Sequence, residues 1–319
     1  MVNSRGDSVS WRATRIWAEK QLATGERLVD AVRLRGGWSS DMRRLYVEGP
    51  GGPRSLVLRS FTKPFYLPHA QALLTREADI LGLLGGTGVP VARPVALDAT
   101  AAHCDHPSLL MTLLPGSIRL ADDTEADARA DLLARQLAAI HRTPVTDATR
   151  PRAYQPWASP DRVTVPARTT RPELWARSID ALRRQPPAHR GRFLHRDFHP
   201  GNVLFTGTGP DLRISGVVDW VETSWGPTDL DVAHCSTALA LLHGADAGMR
   251  FADRYTAAGG TLTESPSDHL HWRLLDALGF APDAEKVAVP WREVGRGDLT
   301  PELLTRRLED YLQSLWDRY

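Results

Sequence analysis

Residues 193–205 constrain this chain more tightly than any other stretch. Phe193-Leu194 and Val203-Leu204-Phe205 are apolar ends with strand character, and between them lie His195, Arg196, Asp197, His199 and Asn202. Two buried strands hold such a stretch as an anchored loop, and a loop on a rigid scaffold is where reactive groups are displayed. Seventeen residues after Asn202, the run Gly216-Val217-Val218 ends in Asp219 and Trp220, a strand closed by a carboxylate. Two carboxylates and a carboxamide on strand-anchored turns suit phosphoryl transfer. One carboxylate accepts the proton of an attacking hydroxyl, while the carboxamide and the other carboxylate hold magnesium on the phosphates. A second chemistry stays open, because His195, Asp197 and His199 alternate as the ligands of a hydrolytic metal would.

Periodicity divides the rest of the chain in two. A helix is predicted over 10–23, capped by Ser8 or Ser10, with Trp11, Ile16, Trp17 and Leu22 on one face. Strands are predicted at 28–34, 44–48 and 55–61, the last entered through the turn Gly49-Pro50-Gly51-Gly52-Pro53. Pro68 opens a long helix that Gly85-Gly86 stops. Two β-like runs follow, 91–97 and 109–114, before Pro115-Gly116 breaks the pattern. Beyond it the pattern is mainly helical, at 122–141, 228–242, 246–257, 266–279 and 301–316, with short β segments near 193–194, 203–205 and 214–218. The Pro- and Arg-rich stretch 143–172 is expected to be loop. The boundary predicts a lobe over 1–115, with the 10–23 helix appended, and a second over 116–319.

Composition excludes several classes. With 42% apolar and 24% charged residues the chain is neither disordered nor fibrous. A net charge of +1 leaves no polyanion footprint, so no nucleic-acid partner is expected. Two cysteines make neither a disulfide framework nor a Cys-rich zinc site. The N-terminus has no apolar signal core and no apolar run approaches the roughly 20 residues of a membrane span, which predicts a soluble, cytoplasmic protein without a membrane partner. The G-x-x-x-x-G-K-[ST], G-x-S-x-G and H-E-x-x-H patterns of P-loop proteins, α/β-hydrolases and zincins are missing. Charge is uneven: residues 1–115 carry 14 basic and 10 acidic side chains, residues 243–319 carry 9 and 13. This is either scatter over solvated faces or a basic front for an anionic ligand with an acidic rear for a cationic one.

His195-Arg196-Asp197 followed by Asn202 is similar to the catalytic loop H-x-D-x-x-x-x-N of protein-kinase-like phosphotransferases. With His199 and Pro200 inside it, the form H-x-D-x-H-P-x-N resembles the aminoglycoside phosphotransferase family, which also includes choline, homoserine, fructosamine and macrolide kinases. Trp225-Gly226-Pro227 and Asp231-Val232-Ala233 resemble the segment after that family's metal-binding Asp. Arg76-Glu77-Ala78, with Gly88-Val89-Pro90-Val91 and Pro94, resembles its αC helix and the strand after it. Leu110-Met111-Thr112 and Pro115-Gly116 resemble its hinge, and 137–142 its first large-lobe helix. The resemblance runs from about residue 28 to 242.

It implies an α+β, protein-kinase-like two-lobe fold, with a small β-rich N-lobe carrying one main helix and a larger, mostly helical C-lobe. It implies transfer of the γ-phosphoryl group of ATP or GTP to a hydroxyl of a small molecule, with magnesium as cofactor. Asp197 would be the catalytic base, and Asn202 and Asp219 the magnesium ligands. His195 would brace the loop, His199 would pack or hydrogen-bond within it, and Asp231 would support it. Leu110, Met111 and Leu113 would meet the nucleotide between the lobes. Gly37, Ser39 and Ser40, in Gly36-Gly37-Trp38-Ser39-Ser40, would cover the phosphates, although no G-x-G-x-x-G is present. The strand residue that kinases keep as Lys is here Arg59, which would bridge Glu77 and the phosphates, with Lys63 as the alternative. Were Arg59 removed, Glu77 is expected to reach water.

Trp220 could line the site, though packing is its simpler role, and His141 is expected to be structural. Asp122, Asp123, Glu125 and Asp127 suit a helix N-terminus, or else a grip on a cationic acceptor. The leading acceptor is an aminoglycoside or another amino-bearing natural product, with a metabolic hydroxyl compound next. A catalytically silent nucleotide-binding module and a His/Asp metal hydrolase are the readings of other classes.

Overall fold

A strand meander with one long helix builds the first part of the chain. The structure, a computed structural model, describes residues 11–34, 40–167, 169–282 and 284–319. Two units divide it, residues 1–114 and 115–319. In the first, α1 (Arg12–Lys20) is followed by β1 (Arg27–Leu34), β2 (Asp41–Glu48), β3 (Arg54–Ser60), α2 (Ala70–Leu84), β4 (Pro94–Asp98) and β5 (Ser108–Thr112). The strands form one antiparallel sheet in the order β1-β2-β3-β5-β4. Trp17 and Ala18 of α1 pack into a core with Leu28, Leu45, Val47, Leu56, Leu58 and Leu110. Asp105 pins the helix, its carboxylate accepting the Thr14 backbone N–H at 2.9 Å.

Several boundaries differ from the periodic reading. Trp11, not a serine, is the N-cap of α1, and no side chain among the described residues caps it; Ser8 and Ser10 lie outside the described residues. Pro68 sits in a single 3-10 turn, Leu67–His69, and α2 proper begins at Ala70. A proline can start a turn but leaves no N–H for the ladder behind it.

The second unit holds α3 (Ala126–His141), α4 (Pro172–Ala181), β6 (Arg192–Leu194), β7 (Val203–Thr206), β8 (Arg213–Val217), β9 (Ser224–Gly226), α5 (Thr228–His243), α6 (Ala245–Ala257), α7 (Pro266–Ala277), α8 (Glu285–Glu293) and α9 (Pro301–Arg318). Every residue of α5 from Thr228 to Leu242 is buried. A helix buried on all sides is a core helix, and α6, α7 and α9 pack around this one. Two-stranded ribbons, β6 with β9 and β7 with β8, carry the polar segments. Helix α4 lies where loop was expected to end. Pro172 opens it, and Trp175, fully buried, donates its indole N–H to Glu309 at 2.9 Å.

Gly116 begins this unit with a positive φ of 98°. A Cβ there would lie 2.4 Å from Ser215 Oγ and 2.6 Å from Phe205 O. Only glycine permits that approach, and it lets Ser117 pair with Phe205 and so ties the chain to β7.

Candidate active site

The β7–β8 ribbon explains how residues far apart in sequence meet. Val203 pairs with Val217, and just beyond that pair the Val218 N–H donates to Asn202 O at 3.0 Å. Asn202 and Asp219 therefore stand at the same end of one ribbon. Asp219, after β8, has a φ of 65° and Arg196, after β6, a φ of 77°. Left-handed backbone at two non-glycine residues is costly, and such outliers cluster at functional sites.

Asp231, on α5, holds the loop. Its carboxylate accepts the backbone N–H of His195 at 2.8 Å and of Arg196 at 2.7 Å. His141 Nε2 lies 3.1 Å from the same carboxylate, with Tyr255 Oη 2.7 Å from the other ring nitrogen. Burial pushes the Asp231 carboxyl up, but the His141 hydrogen bond and the nearby His141, His195 and Arg196 charges bring it below the usual range. His195 uses both nitrogens locally: Nδ1 accepts from the Asp197 N–H at 3.2 Å and Nε2 donates to Val218 O at 3.0 Å. Its ring packs 4.3 Å from that of Trp220, which is wholly buried and donates to Val217 O. Trp220 is thus packing, not lining.

Arg196 is also buried, its guanidinium 4.1 Å over the Trp157 ring and donating to Gln155 O at 3.2 Å.

The Asp197 side chain keeps 29% of its surface exposed. Oδ2 accepts from Asn202 Nδ2 at 3.0 Å, and the same nitrogen donates to Asp197 O at 2.9 Å. Both amide hydrogens of Asn202 are thereby spent, leaving its carbonyl oxygen as an acceptor. That oxygen and the Asp219 carboxylate are hard donors of the kind magnesium takes, so the residues present fit the ion.

Oδ1 of Asp197 accepts from His234 Nε2 at 3.0 Å. Sequence reasoning passed over His234, although it stands three residues after Asp231, on the same face of α5. Asp276 of α7 lies 2.9 Å from His234 Nδ1, and nothing in the sequence marked it. Burial raises the Asp197 carboxyl, but the hydrogen bond from His234, with the His199, His234 and His195 rings gathered around it, outweighs it and holds the group well below the usual carboxylate range. Burial lowers His234, yet Asp276, with the hydrogen bonds to Asp197 and Asp276, carries it up to about 9.

His199 caps the turn Pro200–Asn202, its Nδ1 accepting from Gly201 N–H at 3.0 Å. A Cβ on Gly201 would come within 2.6 Å of that ring. Burial takes His199 down to about 4, so the ring is neutral with its proton on Nε2, 3.9 Å from Asp197. The histidines do not converge as the metal-hydrolase reading requires. His195 is turned to Val218, and among the described residues the group with metal-like spacing is Asp197, His199 and His234. A neutral His199 that accepts at Nδ1 has no lone pair at Nε2 to offer an ion.

In the first unit, Arg59 and Glu77 are brought together. Arg59 Nη1 lies 2.8 and 3.0 Å from the two Glu77 oxygens, and its Nε donates to Ser40 Oγ at 3.1 Å. Ser40 is buried in that contact. Lys63 lies past the end of β3 and is exposed. Leu110 is fully buried in the core and Met111 nearly so, while Leu113, beyond β5, is partly exposed. Gly37 and Ser39 lie outside the described residues.

The acidic run before α3 is paired within the chain. Asp123 meets Arg129 at 2.9 Å, Asp122 meets His243 at 3.2 Å, and Asp127 meets Arg254 at 2.5 Å. Asp253, Glu285, Asp298 and Asp310 likewise face Arg318, Arg292, Arg296 and Arg171. Part of the acidic rear is therefore paired within the chain.

The fold has counterparts among solved structures. The chain is similar in structure to a protein of Ralstonia eutropha provisionally assigned as an aminoglycoside phosphotransferase, at 19% identity over 97% of this chain and 98% of that one, with a TM-score of 0.63. It is similar to the spectinomycin phosphotransferase APH(9)-Ia in complex with ADP and spectinomycin, at 12% identity over 95% and 99%, TM-score 0.56. A microcompartment-associated aminopropanol kinase matches at 16% identity over 94% and 98%, TM-score 0.58. No curated protein matches the sequence. These likenesses establish the α+β, kinase-like fold. The model of the phosphotransferase enzyme family (APH) matches residues 30–275, and the chain belongs to that family.

Proposed function

We propose that this phosphotransferase moves the γ-phosphoryl group of ATP or GTP to a hydroxyl of an amino-bearing small molecule. The observation that carries the reading is the Asp197 carboxylate, held at both oxygens and still partly open to solvent. Each carboxylate oxygen has a second lone pair, so Asp197 can accept the acceptor's hydroxyl proton while its present partners stay. A carboxyl held well below its ordinary range is a weak base. That suits a loose transition state, in which aligning the hydroxyl counts for more than removing its proton early.

Asn202 and Asp219 would hold magnesium, which neutralises charge on the donor's phosphate oxygens when bound. Arg59, steadied by Glu77 and Ser40, would contact phosphate, and His195 and Asp231 would keep the loop in register. An amino-bearing acceptor rests on the similar structures named for aminoglycosides and aminopropanol, not on charge.

The test is a screen of aminoglycosides, amino alcohols and other hydroxylated compounds with MgATP and MgGTP, reading nucleotide consumption and a product heavier by one HPO₃ unit. Asp197→Ala is expected to abolish transfer while leaving nucleotide affinity near wild type. A variant that keeps most of its turnover removes Asp197 from this role.

A further inference from the structure

Asp197 is gripped from outside its own loop. A line of buried groups runs from α5 and α7 to its carboxylate. Thr237 Oγ1 donates to Asp276 Oδ2 at 2.7 Å, His234 Nδ1 donates to Asp276 Oδ1 at 2.9 Å, and His234 Nε2 donates to Asp197 Oδ1 at 3.0 Å. His234 and Asp276 are 4% and 3% exposed. The imidazole cannot turn: Phe280 stacks on it at 5.5 Å and 26°, and Trp157 meets it edge-on at 5.1 Å.

Resting on the reading of Asp197 as the base, we propose that His234, braced by Asp276, is the positioning residue that sets the Asp197 carboxylate for transfer. A ring with a carboxylate at each nitrogen donates at both. Asp276 thus orients His234 and balances its charge, so that Asp197 keeps its own charge for the hydroxyl. Asn202 fixes one oxygen of Asp197 and His234 the other. Two fixed points define the plane of the carboxylate and the direction of its remaining lone pairs. A reacting group held in one orientation avoids an entropy cost in the transition state. Without His234 the carboxylate would pivot about its Asn202 contact.

The test compares His234→Ala, His234→Gln and Asp276→Asn with Asp197→Ala, after melting curves show that each is folded. The reactions are run with MgATP and MgGTP on kanamycin A, choline and homoserine, and with water alone as acceptor. His234→Ala is expected to lose about 10- to 100-fold in kcat with the nucleotide KM unchanged. Gln can place an N–H near the lost Nε2, so His234→Gln should recover much of the loss. Asp276→Asn should fall between. Crystal structures carry the same test without an acceptor: Asp197 should leave its rotamer in His234→Ala and keep it in His234→Gln. An unchanged kcat or an unmoved Asp197 in His234→Ala, with Asp197→Ala inactive, overturns the proposal alone. An active Asp197→Ala overturns the base reading beneath it.

Discussion

Glu77 turns both carboxylate oxygens to one nitrogen of Arg59, at 2.8 and 3.0 Å, and the two side chains are only 3% and 4% exposed. The expectation that Glu77 would reach water once Arg59 is gone therefore fails, because α2 and the sheet close over it. Breaking a buried ion pair by removing one partner costs about 3–5 kcal/mol. Arg59→Ala should lose about that much in urea unfolding, and Arg59→Lys should recover part. Arg59→Met combined with Glu77→Leu should restore most of the stability but not nucleotide affinity. Lys63→Ala should change neither.

Asp219 sits in left-handed backbone, with φ at 65°. Asn tolerates that region better than most residues, so Asp219→Asn should keep the fold while losing the anionic oxygen. Calorimetry should show magnesium-nucleotide affinity down by about tenfold or more, in line with the loss of one charged contact. Affinity measured without magnesium should hardly move. Equal affinities with the ion present would take Asp219 out of the metal-binding pair.

Asp231→Ala should unfold more readily by about 3 kcal/mol or more, since it leaves two buried N–H groups and His141 without an acceptor. Hydrogen exchange should localise the damage, with the His195 and Arg196 amides losing protection ahead of the α5 core. Uniform loss of protection would show that Asp231 serves the fold at large, not this loop.

His234 gives stability a definite pH window. Its folded value, about 9, lies above the ordinary 6.5. The folded state thus holds a proton that the unfolded state releases between those values. The stabilisation is complete below pH 6.5 and is lost as pH rises through 9. It amounts to about 3 kcal/mol at most, at 1.36 kcal/mol per pKa unit. The stability difference between wild type and His234→Gln, from unfolding curves at pH 6 and pH 10, should shrink accordingly. A difference that stays constant would mean that His234 is not charged in the fold.

Local chemistry was legible in the sequence and assembled chemistry was not. Helices α3 and α9 show in their periodic apolar residues, α5 in a nearly continuous apolar run, and the catalytic-loop resemblance lay within a single stretch of thirteen residues. Helix α4 escaped because it begins at Pro172, after a polar run that reads as loop, and its reason for existing is Trp175, buried against α9. Helix α8 escaped because Pro290 interrupts its pattern. Asp276 stands among ordinary helical residues of α7. Only the packing of α7 on α5 brings it to His234.

The β7–β8 ribbon acts as a ruler. Asn202 and Asp219 are neighbours because Val203 pairs with Val217, not because they stand seventeen positions apart. The turn at 207–212 could therefore gain or lose length without moving either side chain. One residue added within β7 or β8 would instead flip every later side chain to the opposite face and carry Asn202 away from Asp219. Length variants of this chain should accordingly be tolerated at the tip of the ribbon and lethal to activity one pair below it.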